Sequence, residues 1–212
     1  MVAALQYIIL VQKGAVTIIQ VYAPTTDAAD IEADEFYDQL QQEVSRAPRK
    51  DSLIVMGDFN AKAGIQSEED REVMGIYGIG ERNERGDRLL DFCHMNSLFI
   101  TNTKFKNAKP TRCWTWESPD GKTRNRIDFI LVNKSMLSSV QNSRAFPSMD
   151  TGSAHQLVMA DIKLKLKKNR TLSMKFTFKL KDPSTREKSH EAVENKWEKL
   201  SHKRMFKYYG KR

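Results

Sequence analysis

The stretch Leu53-Ile54-Val55-Met56-Gly57-Asp58-Phe59-Asn60 constrains the fold more than any other part of the chain. Its first four residues are apolar without alternation, the pattern of a short strand buried on both faces. The run passes directly into Gly57-Asp58-Phe59-Asn60, so polar groups stand at the exit of a buried strand. A carboxylate and a carboxamide two residues apart at such an end point the same way. Asp58 can then hold a water or a metal while Asn60 holds a phosphate oxygen. The same residues also suit an Asx-rich turn that only closes the strand.

The segments around it alternate in type. Leu5 to Val11 and Val16 to Tyr22 are β-rich runs separated by Gln12-Lys13-Gly14-Ala15, which predicts a hairpin. From Asp27, a plausible N-cap, the apolar residues Ile31, Phe36, Leu40 and Val44 recur at helical intervals, which predicts an amphipathic helix over roughly 28 to 46. Residues 61 to 86 read as a long Gly- and charge-rich loop, followed by a helix over Asp87 to Met95 and a strand over Leu98 to Asn102. Trp114 to Glu117, Ser118-Pro119-Asp120-Gly121 and Arg126 to Val132 read as strand, turn, strand. A further strand is predicted over Leu157 to Leu166. Beyond Lys167 the strand signals become few, charges accumulate, and a helical stretch is predicted from about Thr185 to Leu200.

Two more polar residues stand out against this frame. Asp128 is the sole acid in the strand-forming run Arg126-Ile127-Asp128-Phe129-Ile130-Leu131, and a carboxylate there is costly to bury unless something pairs with it. His155, in Ser153-Ala154-His155, offers an imidazole at the start of a strand. A lone histidine is usually surface decoration, whereas an Asp and a His on adjacent strand ends can form an orienting pair.

Taken in order, Tyr22-Ala23-Pro24, Gly57-Asp58-Phe59-Asn60, Trp116 with Ser118-Pro119-Asp120-Gly121, Ile127-Asp128-Phe129-Ile130-Leu131 and Ser153-Ala154-His155 resemble the endonuclease/exonuclease/phosphatase superfamily. Within it, residues 5 to 167 look like the endonuclease domain of non-LTR retrotransposons and the derived craniofacial development protein 2-like proteins. The resemblance implies a four-layered α/β/β/α sandwich and Mg²⁺-dependent cleavage of phosphodiester bonds. It gives Asp58 the attacking water and a weak share of the metal, Asn60 the scissile phosphate, and Asp128 the orientation of His155. His155 would stabilise the charge that develops on the phosphate, and Tyr22 and Asn102 would contact substrate. An in-line displacement on a diester needs such an activated water, a cation and donors for the pentacovalent oxygens.

Two departures from the family pattern bear on activity. The final Ser-Asp-His motif carries Ala154 in its middle position, which removes a carboxylate; Asp150 or Asp161 could substitute for it. The chain also begins only about twenty residues before Tyr22, where the family places an Asn and a metal-binding Glu on earlier strands. The resemblance therefore implies a truncated sandwich with an incomplete Mg²⁺ site, and an open sheet edge that a protein partner could cover.

The charge bears on partners. The net charge of +8 is uneven, with 17 Lys/Arg against 5 Asp/Glu from Lys163 onward and 18 against 22 in residues 1 to 162. The division expected is an endonuclease-like domain over 1–167 and a basic, partly helical tail over 168–212. A basic tail behind a mildly acidic body suits a polyanion such as nucleic acid, DNA first, and equally suits a solvated arm. Cys93 and Cys113 are too few and too isolated for a disulfide framework or a zinc site, which fits a reduced intracellular compartment, nuclear or cytoplasmic. The apolar start, Val2 to Val11, is too short to span a bilayer, so no membrane association is expected. Two functions follow: a retrotransposon-derived endonuclease-like protein whose ancestral Mg²⁺-dependent hydrolysis is weakened or lost, or a non-catalytic remnant that binds nucleic acid or protein.

Overall fold

A computed structural model describes residues 16–107, 109–147, 153–166 and 170–178. The chain divides into two compact units, Met1–Leu180 and Lys181–Arg212, and everything below belongs to the first. The predicted strand over Leu5 to Val11 and the helix over Thr185 to Leu200 lie outside the described residues.

The apolar run is a central strand. β1 (Val16–Tyr22) pairs in parallel with β2 (Ser52–Asp58), and β2 pairs antiparallel with β6 (Asp128–Asn133), which carries β3 (Leu98–Ile100) on its other side. The order of this sheet is β1-β2-β6-β3. Both faces of β2 are covered, as its lack of alternation requires. Leu53 and Val55 join Ile19, Val21, Leu131 and the helices in one apolar cluster, while Ile54 and Met56 join Ile18, Ile130 and Val132 in a second. The second cluster closes against β7 (Val140–Phe146) and β8 (Leu157–Leu166) through Val140, Val158, Ala160 and Ile162. Among the described residues the layers are therefore helix, sheet, sheet, a mixed α/β arrangement.

The helical layer consists of α1 (Asp30–Arg46) and α2 (Glu84–Asn96). α1 buries Ala33, Phe36 and Leu40 but leaves Ile31 64% exposed, so the apolar row begins one turn later than its spacing predicts. Its N-cap is Ala29, with no side-chain hydrogen bond, and not Asp27. Asp30 and Glu32 in the first turn offset the helix dipole instead, and Arg85 of α2 binds the entry by donating to the Ala28 carbonyl at 2.7 Å and to Asp30 at 3.1 Å. α2 starts three residues before the predicted Asp87 because the Asn83 side chain caps it, accepting from Gly86 N at 2.9 Å and also from Lys62 N at 2.9 Å.

The long loop between β2 and α2 is held internally. Buried Asp70 accepts from Ser67 N at 3.1 Å, from Ser67 Oγ at 2.6 Å and from the Arg82 guanidinium, and Gly64 bridges Ile79.

Three elements depart from the sequence reading. β3 stops at Ile100, because Thr101–Thr103 form a 3-10 turn in which Thr103 Oγ1 donates to the Ile100 carbonyl at 2.6 Å. The segment before Ser153 contains β7, which the polar residues Gln141, Asn142, Ser143 and Arg144 disguise. Ser143 faces inward all the same and receives a hydrogen bond from Thr101 Oγ1 at 2.8 Å. β8 pairs antiparallel with both β7 and β9 (Arg170–Phe178), so a strand lies beyond Lys167, where the sequence shows few strand signals. Among the described residues no helix is long and apolar enough to cross a membrane.

Candidate active site

The C-terminal ends of β1 and β2 meet the start of β6. Across this junction Tyr22 registers with Asp58, and Asp58 with Asp128. Gly57 permits the approach: it has φ +147°, and a Cβ there would stand 1.9 Å from the Val21 carbonyl oxygen. Only glycine fits so close to the neighbouring backbone. The next turn is also fixed, since Asp58 Oδ1 accepts from Asn60 N at 2.8 Å and Asn60, in the left-handed region at φ 47°, donates Nδ2 to the Ala23 carbonyl at 2.8 Å. One amide hydrogen of Asn60 thus orients the carboxamide, and the group carries a second.

His155 comes to the same place from the second sheet. The hairpin β4 (Trp116–Glu117) and β5 (Arg124–Asn125) grips it: Trp116 bridges His155, Glu117 N donates to the Ala154 carbonyl at 3.1 Å, and Gln156 N donates to the Thr115 carbonyl at 2.7 Å. The imidazole then lies between the two aspartates, with Nδ1 3.2 Å from Asp128 Oδ2 and Nε2 3.9 Å from Asp58 Oδ2. The first contact is a hydrogen bond; the second is a charge contact too long to be one.

Both carboxylates are almost fully buried, Asp58 at 2% and Asp128 at 1% exposure. Burial, and next the charge of Asp128, lift the Asp58 carboxyl to about 7, against the Asn60 hydrogen bond and His155, which lower it. Burial likewise pushes Asp128 up, opposed by the hydrogen bond and charge of His155. Burial works against a charged His155 ring, but its hydrogen bond to Asp128, the charge of that carboxylate and that of Asp58 outweigh it and hold the imidazole above its ordinary value. Burial and mutual repulsion therefore favour one proton held among the three groups near neutral pH.

Two residues that the sequence reading passed over set Asp128 in place. Thr115 Oγ1 accepts from both Ile127 N at 3.0 Å and Asp128 N at 3.1 Å. Arg126, at 5% exposure, donates to the carbonyls of Cys113, Tyr77 and Asn102, and burial lowers its guanidinium to about 10. Asn102 is spent on the same strand, donating Nδ2 to the Asp128 carbonyl at 3.1 Å and accepting from Ile130 N at 3.0 Å. A threonine between two tryptophans carries no sequence signal, whereas a lone arginine in an apolar strand does. Tyr22 is 42% exposed at the rim. An open cleft of about 440 Å³ borders the cluster on the His155 side, lined by Trp114, Glu117, Pro147, Ala154, His155 and Gln156, with neither aspartate among its walls.

Comparison with known proteins places this geometry. The pattern of the endonuclease-reverse transcriptase family matches residues 16–159. The chain belongs to that family. Among relatives of this family member, craniofacial development protein 2 of Bos taurus is 46% identical over 151 residues, and that of Tragulus javanicus 45% over 151 residues. The match takes in 71% of this chain but 25% and 26% of theirs, so the chain spans about a quarter of the length of these relatives. Two solved structures share the fold. The endonuclease domain of TRAS1, a telomere-specific non-LTR retrotransposon, superposes with TM-score 0.50 at 19% identity, over 73% of this chain and 61% of that one. The 3′ phosphatase NExo from Neisseria, bound to a product DNA hairpin, gives 0.51 at 18%, over 73% and 63%.

The family resemblance implies Mg²⁺, and the cluster fits it only in part. The potential ligand atoms of Asp58, Asp128 and His155 lie within 4.8 Å of one another, and Asp128 Oδ1 is buried with no partner among the described residues. Mg²⁺ takes six oxygens in near-octahedral order. Here an imidazole occupies the space between the carboxylates, one of which is hydrogen-bonded to it. Asp161 does not repair the set: it registers with Asn142 in the middle of β8, away from the cluster. Asp150 lies outside the described residues.

Proposed function

We propose that the domain is a nucleic-acid phosphodiesterase of reduced turnover, in which the Asp58, Asp128 and His155 cluster receives the scissile phosphate. The observation that carries this reading is the convergence of two buried carboxylates on one imidazole at 3.2 and 3.9 Å, the imidazole also lining an open cleft. Asp58, with its carboxyl raised to about 7, takes the proton of the attacking water as the P–O bond to the departing oxygen breaks, and solvent protonates that oxygen. His155, fixed by Asp128, donates to a non-bridging phosphate oxygen as charge builds there. Asn60 uses its second amide hydrogen on the same phosphate, and Tyr22 stands at the rim beside it. Thr115, Asn102 and Arg126 hold the β6 end that carries Asp128.

Asp58 is the side chain that would hold a cation, weakly, and no step is assigned to one. The absence of a carboxylate at Ala154 is the reason for slow turnover and also favours a second reading, a domain that binds nucleic acid without cleaving it. Supercoiled plasmid incubated with Mg²⁺ separates the two. Slow nicking that disappears in His155→Ala is expected; nicking unchanged in that variant overturns the assignment, and binding without any nicking selects the second reading.

A further inference from the structure

Phe146 closes β7 one residue before Pro147, which lines the cleft beside His155. Two guanidiniums lie against its ring, with Arg144 Cζ at 5.1 Å and Arg112 Cζ at 5.7 Å from the centroid. Among the described residues neither arginine has a carboxylate within ion-pair distance, and Arg144 Nε is buried without a hydrogen-bond partner. The contrast with Arg124 is informative: it stacks on Trp114 at 4.9 Å, but Glu117 neutralises it at 2.9 Å. Two like charges held against one ring repel each other, and no carboxylate among the described residues compensates them. Planar guanidiniums fixed by an aromatic face are suited to bidentate contact with phosphate oxygens.

The placement also suits a nucleic-acid strand. Phe146 registers with Leu157, two residues after His155. At about 3.4 Å per residue along a strand and about 5 Å between strands, the stack sits roughly 9 Å from the histidine position, between two and three nucleotide rises.

We propose that Arg112, Phe146 and Arg144 form a subsite for the nucleic-acid backbone flanking the scissile phosphate, the guanidiniums contacting phosphate oxygens. The inference rests on the reading of the Asp58, Asp128 and His155 cluster as a phosphodiester site.

Its test is binding of the full chain to a fluorescein-labelled single-stranded oligodeoxynucleotide of about 20 nucleotides, followed by anisotropy in EDTA over a series of salt concentrations. The double variant Arg112→Gln/Arg144→Gln is expected to bind roughly tenfold or more weakly, and its log–log salt slope to fall by about 1.4, the single-strand value for two phosphates. The Arg112→Lys/Arg144→Lys variant keeps the slope and loses part of the affinity. Arg49→Gln/Lys50→Gln, a matched loss of charge in exposed residues before β2, changes neither. Thermal melts of each variant within a degree or so of the parent establish that folding is intact. A double variant that behaves like the control overturns the subsite while leaving the cleft reading untouched. A parent chain that binds no oligonucleotide overturns both.

Discussion

Asp58→Asn is expected to stabilise the fold while it abolishes cleavage. The carboxyl moves from an ordinary value of 3.8 to about 7, first because it is buried and then because Asp128 faces it. A group raised in this way lends full stability only below its ordinary value, and loses it as pH rises through the folded one. At about 1.4 kcal/mol per pK unit, the raised carboxyl lowers stability by roughly 1–2 kcal/mol near pH 5, where only the unfolded chain is ionised, and by about 4 kcal/mol near pH 8, where the folded one is too. Asparagine keeps an oxygen to accept from Asn60 N, cannot ionise, and can donate toward Asp128 where the carboxylate repelled it. The urea unfolding free energy of Asp58→Asn, measured in EDTA, should therefore exceed that of the parent by an amount that grows from about pH 5 to about pH 8. A variant less stable than the parent at the higher pH, or a gain that does not change with pH, refutes the reasoning.

Other substitutions probe the frame around the site. Gly57→Ala puts a Cβ 1.9 Å from the Val21 carbonyl and should cost more than about 4 kcal/mol, seen as loss of the cooperative melt. Burial of Asp70 is outweighed by hydrogen bonds from Ser67 and Arg82, which hold its carboxyl below the usual range, so its contribution is present at neutral pH and lost as the solution is acidified. Asp70→Asn should cost roughly 1–3 kcal/mol near neutrality and little in acid, by urea titration. Ala154→Asp restores the carboxylate of the family motif and should raise the plasmid-nicking rate in Mg²⁺; an unchanged or lower rate sets aside Ala154 as the cause of slow turnover.

Much of this was legible in the residues because local signals and global demands agreed. The unalternating run before Gly57 could only be a strand covered on both faces, and the helical spacing of Phe36 and Leu40 survived because those residues found the sheet. Asp58, Asp128 and His155 stood out singly only as polar groups at strand ends, and it was the order of their motifs, matching a known family, that singled them out together. What the sequence hid was tertiary. β7 is a strand through its pairing with β8, not through its own composition, and Thr101 satisfies the inward Ser143. Asp27 looks like a cap, but the helix entry is set by Arg85, fifty-five residues from Asp30 in the chain. Thr115 matters only because its hydroxyl meets the amide hydrogens of Ile127 and Asp128 where β6 begins, and no spacing rule announces that.

The central matter is whether the buried acid and the imidazole act on a phosphodiester as one unit. A double-mutant cycle reads this directly, with the cleavage rate of a labelled duplex oligonucleotide measured for the parent, Asp58→Asn, His155→Ala and the double variant. The expected result is that each single variant falls to the same floor as the double, since either loss disables the pair. Independent, multiplying losses, or a parent rate already at that floor, would contradict it.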